Sequence, residues 1–364
     1  MNSPHELAQL LDALRRLHGV AAPRAALATL TRTRGSTFRR PGTHMLVLGD
    51  GRVVCELSGG CPQRDIVIRA LEVIASGEPR RVHYNSESGL DVLMEMGCGG
   101  ELEILIEPLS PARATDFADS LTRCLDARVD ARLATVFAIA GRVIVPQRLV
   151  WCPRHELFDG TANEAIGRIV AGACSSWRGR GADTVQLDSP AGTLDVLIES
   201  IQPPHALVVI GSSAAARALL PLSTALGWQT TLVDHDPVRL QAPGLPPGLR
   251  TLCTTPEQLH EALPLDGHTS VVVMTHNLER DIAWLAALRG APVAYVGSLG
   301  SRERVTRMRH APELAGLRLH APAGLDIGSE TPEEIALAVA AEIMAVINDR
   351  SGGPLRDNDG AIHG

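Results

Sequence analysis

Ala206-Leu207-Val208-Val209-Ile210-Gly211-Ser212-Ser213-Ala214-Ala215-Ala216 reads as a buried strand, a glycine turn and the opening of a helix. A second apolar run at 230–233 ends on Asp234, 23 residues beyond Gly211. A strand, a glycine turn, a helix and an acid at that distance make a dinucleotide-type βαβ unit, with Asp234 placed for a ribose. Further short apolar runs at 249–253, 270–274 and 293–296 alternate with helical stretches. That alternation predicts a parallel sheet covered by helices on both faces. The glycine fingerprint is reduced, because Ser212 and the alanines stand where a pyrophosphate needs bare backbone. The sequence therefore supports the fold and disfavours NAD(P).

The same turn also reads as Gly-x-Ser-x-Ala, which makes Ser213 a candidate hydrolase nucleophile. No His-Gly-Gly oxyanion loop precedes it, so the hydrolase reading is weak. Ligands of open α/β sheets bind beyond the carboxyl ends of the strands. Thr275-His276-Asn277 and Gly297-Ser298-Leu299-Gly300-Ser301-Arg302 both fall there, and Gly324–Glu330, with Asp326, can close the same pocket. Arg302, Arg304, Arg307 and Arg309 offer a phosphate grip, although charge runs more often form a solvated helix face. Thr331-Pro332-Glu333-Glu334 is a capping box for a last helix reaching about residue 348.

Upstream of Pro203-Pro204 the pattern changes to α+β. Ser3-Pro4-His5-Glu6 caps a first helix with a leucine stripe. Strands are expected at 26–33, 43–48 and 52–57, the last two joined through Asp50-Gly51. A helix at 62–75 and an alternating strand at 101–107 follow, the latter with its glutamates on a solvent face. Residues 111–202 echo this plan. Leu133-Ala134-Thr135 matches Leu27-Ala28-Thr29, and Gly192-Thr193-Leu194-Asp195-Val196-Leu197-Ile198-Glu199 parallels Gly100-Glu101-Leu102-Glu103-Ile104-Leu105-Ile106-Glu107. The expected division is an N-terminal domain over 1–110, a repeated module over 111–202, a Rossmann-like domain over 203–349 and a disordered tail over 350–364.

All 34 basic residues are arginine, so Schiff-base and Walker-A chemistry are excluded for want of lysine. The net charge of −7 and the few aromatics argue against nucleic acid. No apolar run nears the ~20 residues of a membrane span, and no secretory signal opens the chain. The seven cysteines then read as reduced thiols of a cytoplasmic protein.

Two of those thiols stand out. Cys61 follows Ser58-Gly59-Gly60 and precedes Pro62, which puts it at a helix N-cap where amides and dipole favour thiolate. Cys98 lies in Gly97-Cys98-Gly99-Gly100, a turn able to form an anion-holding nest just before a strand. Each has a plain alternative, a small buried residue and an incidental turn cysteine. Cys55, Cys124, Cys152, Cys174 and Cys253 lack such settings and read as structural.

Taken together these motifs resemble the XdhC/CoxI family, accessory proteins of molybdenum hydroxylases such as xanthine dehydrogenase. The resemblance spans nearly the whole chain. It is carried by Arg34-Gly35-Ser36-Thr37 with Arg40-Pro41-Gly42, by the two cysteine motifs, and by Met274-Thr275-His276. Tyr295-Val296-Gly297 with Gly300-Ser301-Arg302, and His320-Ala321-Pro322 with Gly324–Glu334, complete it. Gln63 and the reduced glycine turn depart from the family pattern.

The resemblance implies an accessory protein more than an enzyme. It would bind molybdenum cofactor, as molybdopterin or its cytosine dinucleotide form, hold it while a cysteine desulfurase installs the sulfido ligand, and deliver it to an apo molybdenum hydroxylase. It also implies a homodimer. Cys61 and Cys98 would contact the thiophilic metal. Gly59, Gly60, Gly99, Gly100, Arg34, Arg40, Gly211, Asp234, His276, Gly297, Ser301, Arg302 and Asp326 would complete the cofactor site. The alternative is a nucleotide-dependent oxidoreductase or transferase built on Gly211–Asp234, and a cofactor-free assembly scaffold is a third.

Overall fold

A computed structural model of the chain describes residues 2–17, 24–35, 37–57, 62–85, 100–109, 116–153 and 158–357. The chain divides into two compact units at Pro203/Pro204.

The first unit opens with α1 (Pro4–Arg16). Ser3 and Glu6 form the reciprocal cap that its sequence predicts, each side chain bonding the other's backbone N–H. An antiparallel sheet follows in the order β3-β2-β1-β5-β4. Its strands are β1 (Ala25–Arg34), β2 (His44–Leu48), β3 (Val53–Val54), β4 (Arg80–Tyr84) and β5 (Glu101–Leu109). The helix α2 (Pro62–Ser76) packs Ile66, Ala70 and Val73 against Ala26, Ala28 and Leu30 of β1 and Ile104 and Ile106 of β5.

After α3 (Asp116–Asp126) a second sheet runs in the order β7-β6-β9-β8. It comprises β6 (Ala131–Ile139), β7 (Arg142–Trp151), β8 (Ala182–Leu187) and β9 (Leu194–Ile201), with α4 (Glu164–Ser176) between β7 and β8 in sequence. Its order repeats that of β2-β1-β5-β4 strand for strand. The registers agree as well: Thr29 faces His44 where Thr135 faces Arg148, and Leu27 faces Glu107 where Leu133 faces Glu199. Both first strands break register at the same point, between Leu30 and Arg32 and between Val136 and Ala138.

The expectation for β5 needs correction. Glu103 and Glu107 do not face solvent; they are 7% and 3% exposed, and Asp195 and Glu199 on β9 are equally covered. Alternation usually marks a wet face, but here the two sheets cover each other and side chains of both supply partners to the carboxylates. Arg148 donates from Nη1 and Nη2 to Glu107, His44 Nε2 lies 2.8 Å from Glu199 Oε1, and Arg32 bridges Glu103 at 2.8 Å and Asp195 at 3.0 Å. A buried carboxylate without such a partner would cost several kcal/mol, roughly. Leu10, Leu11 and Leu14 of α1 and Phe117, Leu121 and Cys124 of α3 join this middle layer.

The second unit is the doubly wound parallel sheet that the sequence predicts, in the order β12-β11-β10-β13-β14. The strands are β10 (Ala206–Ile210), β11 (Gln229–Asp234), β12 (Arg250–Cys253), β13 (Thr269–Val273) and β14 (Tyr295–Ser298). One face carries α5 (Ala214–Ala225) and α8 (Pro332–Ile347), the other α6 (Leu278–Ala287) and α7 (Arg302–Arg309). Helices change face between β10 and β13, so the crevice of a doubly wound sheet opens there, beyond Ile210 and Val273. Thr331 and Glu334 cap α8 reciprocally. Among the described residues no helix is long and apolar enough to cross a membrane.

Candidate functional site

The first unit holds a cavity of about 290 Å³ where β1, β4 and β5 meet, lined by Arg32, Thr33, Arg34, His83, Tyr84, Asn85, Glu101, Leu102 and Glu103. Arg32 is consumed in the ion pairs to Glu103 and Asp195. Arg34, at the end of β1, is 85% exposed and only loosely held, 4.0 Å from Glu101. It is the guanidinium of this cavity placed to meet an anion. Gly35 has φ +72°, and a Cβ there would sit 3.6 Å from the Cα of Gly100, which leads into β5. Cys61, Cys98, Gly59, Gly60 and Gly99 lie outside the described residues.

The first turn of α2, which begins one residue after Cys61, is tied to β4. The Tyr84 hydroxyl and the Arg69 Nε both donate to Asp65 Oδ2 at 2.6 Å. Burial raises the carboxyl pKa of Asp65, but the bonds from Arg69 and Tyr84 outweigh it, and the net shift is downward. The same desolvation and the bond to Asp65 hold the Tyr84 phenol well above its ordinary value. These residues were missed in the sequence, where Tyr84 and Asp65 carry no motif.

The 34–42 segment divides its arginines. Arg39 grips both oxygens of Glu6, at 2.6 and 3.1 Å, and its guanidinium stands 5.7 Å from the ring of exposed Phe38. Arg40 gives its carbonyl to the Thr43 hydroxyl at 2.8 Å. Cys55 donates to the Glu6 carbonyl, and burial followed by the nearby Glu6 charge pushes its thiol up to about 11. Burial likewise pushes Cys174 up to about 12. Both suit the structural reading of those thiols. Among the described residues no cluster of His, Cys, Asp or Glu is arranged to hold a metal ion.

At the carboxyl edge of the parallel sheet, Gly211 adopts φ +97°, and a Cβ there would come within 3.0 Å of the Met274 carbonyl group. Only glycine fits that approach. Ser212 then donates its hydroxyl to Asp234 Oδ2 at 3.1 Å, while Asp236 N donates to Oδ1 and His235 Nδ1 lies 2.9 Å from it. Asp234 is 2% exposed, so the acid that a ribose would use is already filled. Ser213 accepts from Ala216 N as the N-cap of α5, in an extended conformation, φ −62°. That is a helix cap and not the strained elbow of a nucleophilic serine, and the hydrolase reading is dropped.

Two clefts flank this turn, and His276 lines both. One, of about 150 Å³, is bounded by Gly211, Asp234, His235, Arg239, Asn277 and Arg280. The other, of about 470 Å³, is bounded by Ser213, Ala214, Ala215, Met274, Leu299, Gly300, Ser301, Arg304, Glu330 and Ile335, among others. Ser301 caps α7 by accepting from Arg304 N. Arg304 was read in the sequence only as one of a run; here it is fixed by Asp281, by Thr275 O at 3.3 Å and by His276 O at 3.3 Å. Asp281 is fully buried and also accepts from the Thr275 hydroxyl. Neither Arg302 nor Asp326 is among the residues lining these clefts, and both are exposed. Arg309 donates to the Ala321 carbonyl at 3.1 Å. Gly297 lacks a side chain because the ring of Tyr295 occupies the space, 2.6 Å from where a Cβ would be.

Residues 21–85 match the XdhC and CoxI family, and residues 207–343 match the XdhC Rossmann domain. The chain is 27% identical over 325 residues to a probable xanthine dehydrogenase subunit of Bacillus subtilis (strain 168), covering 88% of this chain and 92% of that protein. It is 25% identical over 329 residues to the molybdenum cofactor insertion chaperone PaoD of Escherichia coli (strain K12), covering 88% and 83%. A crystal structure from Bacillus halodurans named xanthine dehydrogenase shares the fold at TM-score 0.74 and 24% identity, over 97% of this chain and 98% of that one. With one match over the unit that carries Arg34 and the other over the parallel-sheet unit, in chain order, the chain belongs to the XdhC and CoxI family.

Proposed function

We propose that the protein binds molybdenum cofactor as cargo and takes part in maturing a molybdenum hydroxylase. The observation that carries this reading is the cavity at the head of β5, where Arg34 and His83 stand on the rim beside Gly100. Cys98 lies two residues before Gly100 in the chain, and a thiol together with a guanidinium would make a donor set suited to a thiophilic metal with an anionic ligand. The likeness to a molybdenum cofactor insertion chaperone supports it. The finer steps follow the same reading. Cys61 and Cys98 contact the metal, Arg34 and Arg40 meet the pterin's anionic groups, and the bound cofactor is presented to a cysteine desulfurase before transfer to an apo-hydroxylase. Homodimerisation, a cytoplasmic setting and the division at 1–110, 111–202 and 203–349 belong to the proposal, the last supported by the matched strand order of the two sheets.

Metal and pterin analysis of the chain purified from a cofactor-producing host tests the proposal. Molybdenum and pterin should copurify in equal amounts with wild type and fall at least tenfold in Cys61→Ser and Cys98→Ser. Full retention by both variants removes the thiols from the site, and absence of pterin from wild type removes the cargo reading. The nucleotide-dependent enzyme is the weaker reading, since the Ser212 hydroxyl already occupies Asp234.

A further inference from the structure

Asp234 is committed to holding its neighbour. Its Oδ1 accepts from the Asp236 N–H at 3.1 Å and lies 2.9 Å from His235 Nδ1, while Oδ2 accepts from the Ser212 hydroxyl at 3.1 Å. At 2% exposure the carboxylate has nothing left to offer a ligand directly. A carboxylate in that place puts the imidazole proton on Nδ1 and fixes the ring. Nε2 is then a lone-pair acceptor, and among the described residues nothing donates to it.

His235 lines the smaller cleft, of about 150 Å³, together with His276, Arg239 and Arg280. Among the described residues the Arg280 guanidinium makes no ion pair or hydrogen bond. Arg239 gives only Nε to Asp236, at 3.5 Å, and keeps both terminal nitrogens. Asp234 is the one acid in this lining, and it is filled. The cleft therefore presents two guanidinium forks and an oriented imidazole acceptor, with no carboxylate of its own to answer them. Two guanidinium groups repel a bare cation and match carboxylates two bonds at a time. The Nε2 lone pair asks for a hydroxyl proton. Size narrows the choice further, because sites for ligands as large as a nucleoside start at about 300 Å³.

We infer that this cleft binds a short hydroxy dicarboxylate. Arg239 and Arg280 take its carboxylates, His235 Nε2 accepts from its hydroxyl, and Ile210 and Trp284 supply the apolar part of the lining. Asp234 is a positioning residue that acts through the His235 tautomer. The inference goes beyond the cargo reading, which is carried by residues of the first unit.

Calorimetric titration of the full chain with malate, succinate and inorganic phosphate tests it. Malate should bind. Succinate, the same dicarboxylate without the hydroxyl, should bind at least fivefold more weakly, the worth of about one hydrogen bond. Phosphate should give no heat. His235→Phe should erase the advantage of malate while leaving succinate affinity within twofold of wild type. Arg280→Gln should weaken both dicarboxylates at least tenfold. Both positions are exposed, and thermal midpoints equal to wild type confirm that the variants fold. Equal binding of malate and succinate by wild type, an unaffected Arg280→Gln variant, phosphate binding as tightly as malate, or no heat with millimolar malate overturns the inference. Pterin content of the same preparations is read separately. Malate binding without copurified pterin defeats the cargo reading alone, and pterin without malate binding defeats this inference alone.

Discussion

His44 and Arg148 occupy the same place in two copies of one strand pairing, and each gives its side chain to the other copy's carboxylate. His44 on β2 faces Thr29 and bonds Glu199 of β9; Arg148 on β7 faces Thr135 and bonds Glu107 of β5. Glu107 and Glu199 are themselves equivalent, each opposite the matched leucine of the first strand. The exchange is reciprocal, so neither sheet can bury its own glutamate alone.

Arg148→Met should therefore be costly, because Glu107 would remain 3% exposed and uncompensated. A loss of about 3–5 kcal/mol is expected. The double variant Arg148→Met, Glu107→Leu should recover most of it, since an apolar pair can replace a buried ion pair. Urea denaturation of the full chain measures both. A single variant within ~0.5 kcal/mol of wild type would show that the charges are dispensable. The same exchange predicts one shared transition for both sheets of residues 1–203, followed through Trp151 in one sheet, Trp177 at the end of α4 and Tyr84 in the other sheet.

Tyr84→Phe removes a donor from Asp65 and should cost about 1–2 kcal/mol at neutral pH. The sign with pH is set by the Asp65 carboxyl, whose folded pKa lies below its ordinary 3.8. A depressed acid contributes stability above the unfolded value and loses it as pH falls through the folded one. The gap between Tyr84→Phe and wild type should accordingly be full above about pH 5 and shrink below pH 4. Denaturation midpoints at pH 3, 5 and 7 check this, and a gap that widens in acid contradicts it.

Thiol labelling separates structural cysteines from the rest. With its pKa near 11, Cys55 is about one part in a thousand thiolate at pH 8, and Cys174 at about 12 still less. Iodoacetamide on the native chain at pH 8 should leave both unmodified by mass spectrometry while exposed Cys253 is alkylated. Rapid alkylation of Cys55 would mean that its contact with the Glu6 carbonyl does not hold in solution.

Local rules carried the sequence reading a long way where one element decides its own structure. The two capping boxes, the strand after Pro204 and Gly211 at its turn all formed where their residues indicated, because each is satisfied within a few positions. Strand β7 gave no such signal. Pro146 lies inside it, and proline is tolerated there because β7 is an edge strand, a fact that only the assembled sheet supplies. The glutamates of β5 were placed on the wrong side for the same reason: Glu107 meets Arg148 of the second sheet, 41 residues on, and Glu103 meets Arg32, 71 residues back in its own sheet. Arg34 and Ser301, which their motifs single out, each line a cavity. The tie from Tyr84 to Asp65 and the pinning of Arg304 by Asp281 were not legible, since each joins residues that no local pattern relates.

Ser212 supplies the sharpest test of why this sheet edge is not a dinucleotide site. Its hydroxyl fills Asp234, and its side chain stands where a pyrophosphate needs bare backbone. Ser212→Gly removes both obstacles while leaving the Ser213 cap and the close approach of Gly211 to Met274 in place. Wild type should show no NAD binding at millimolar ligand by calorimetry, and Ser212→Gly should gain measurable affinity. Ser212→Ala frees the carboxylate but keeps a Cβ at the turn, so it should fall between the two. If wild type and Ser212→Gly bind NAD equally well, the serine is no barrier and the nucleotide-dependent enzyme becomes the better account of residues 204–364.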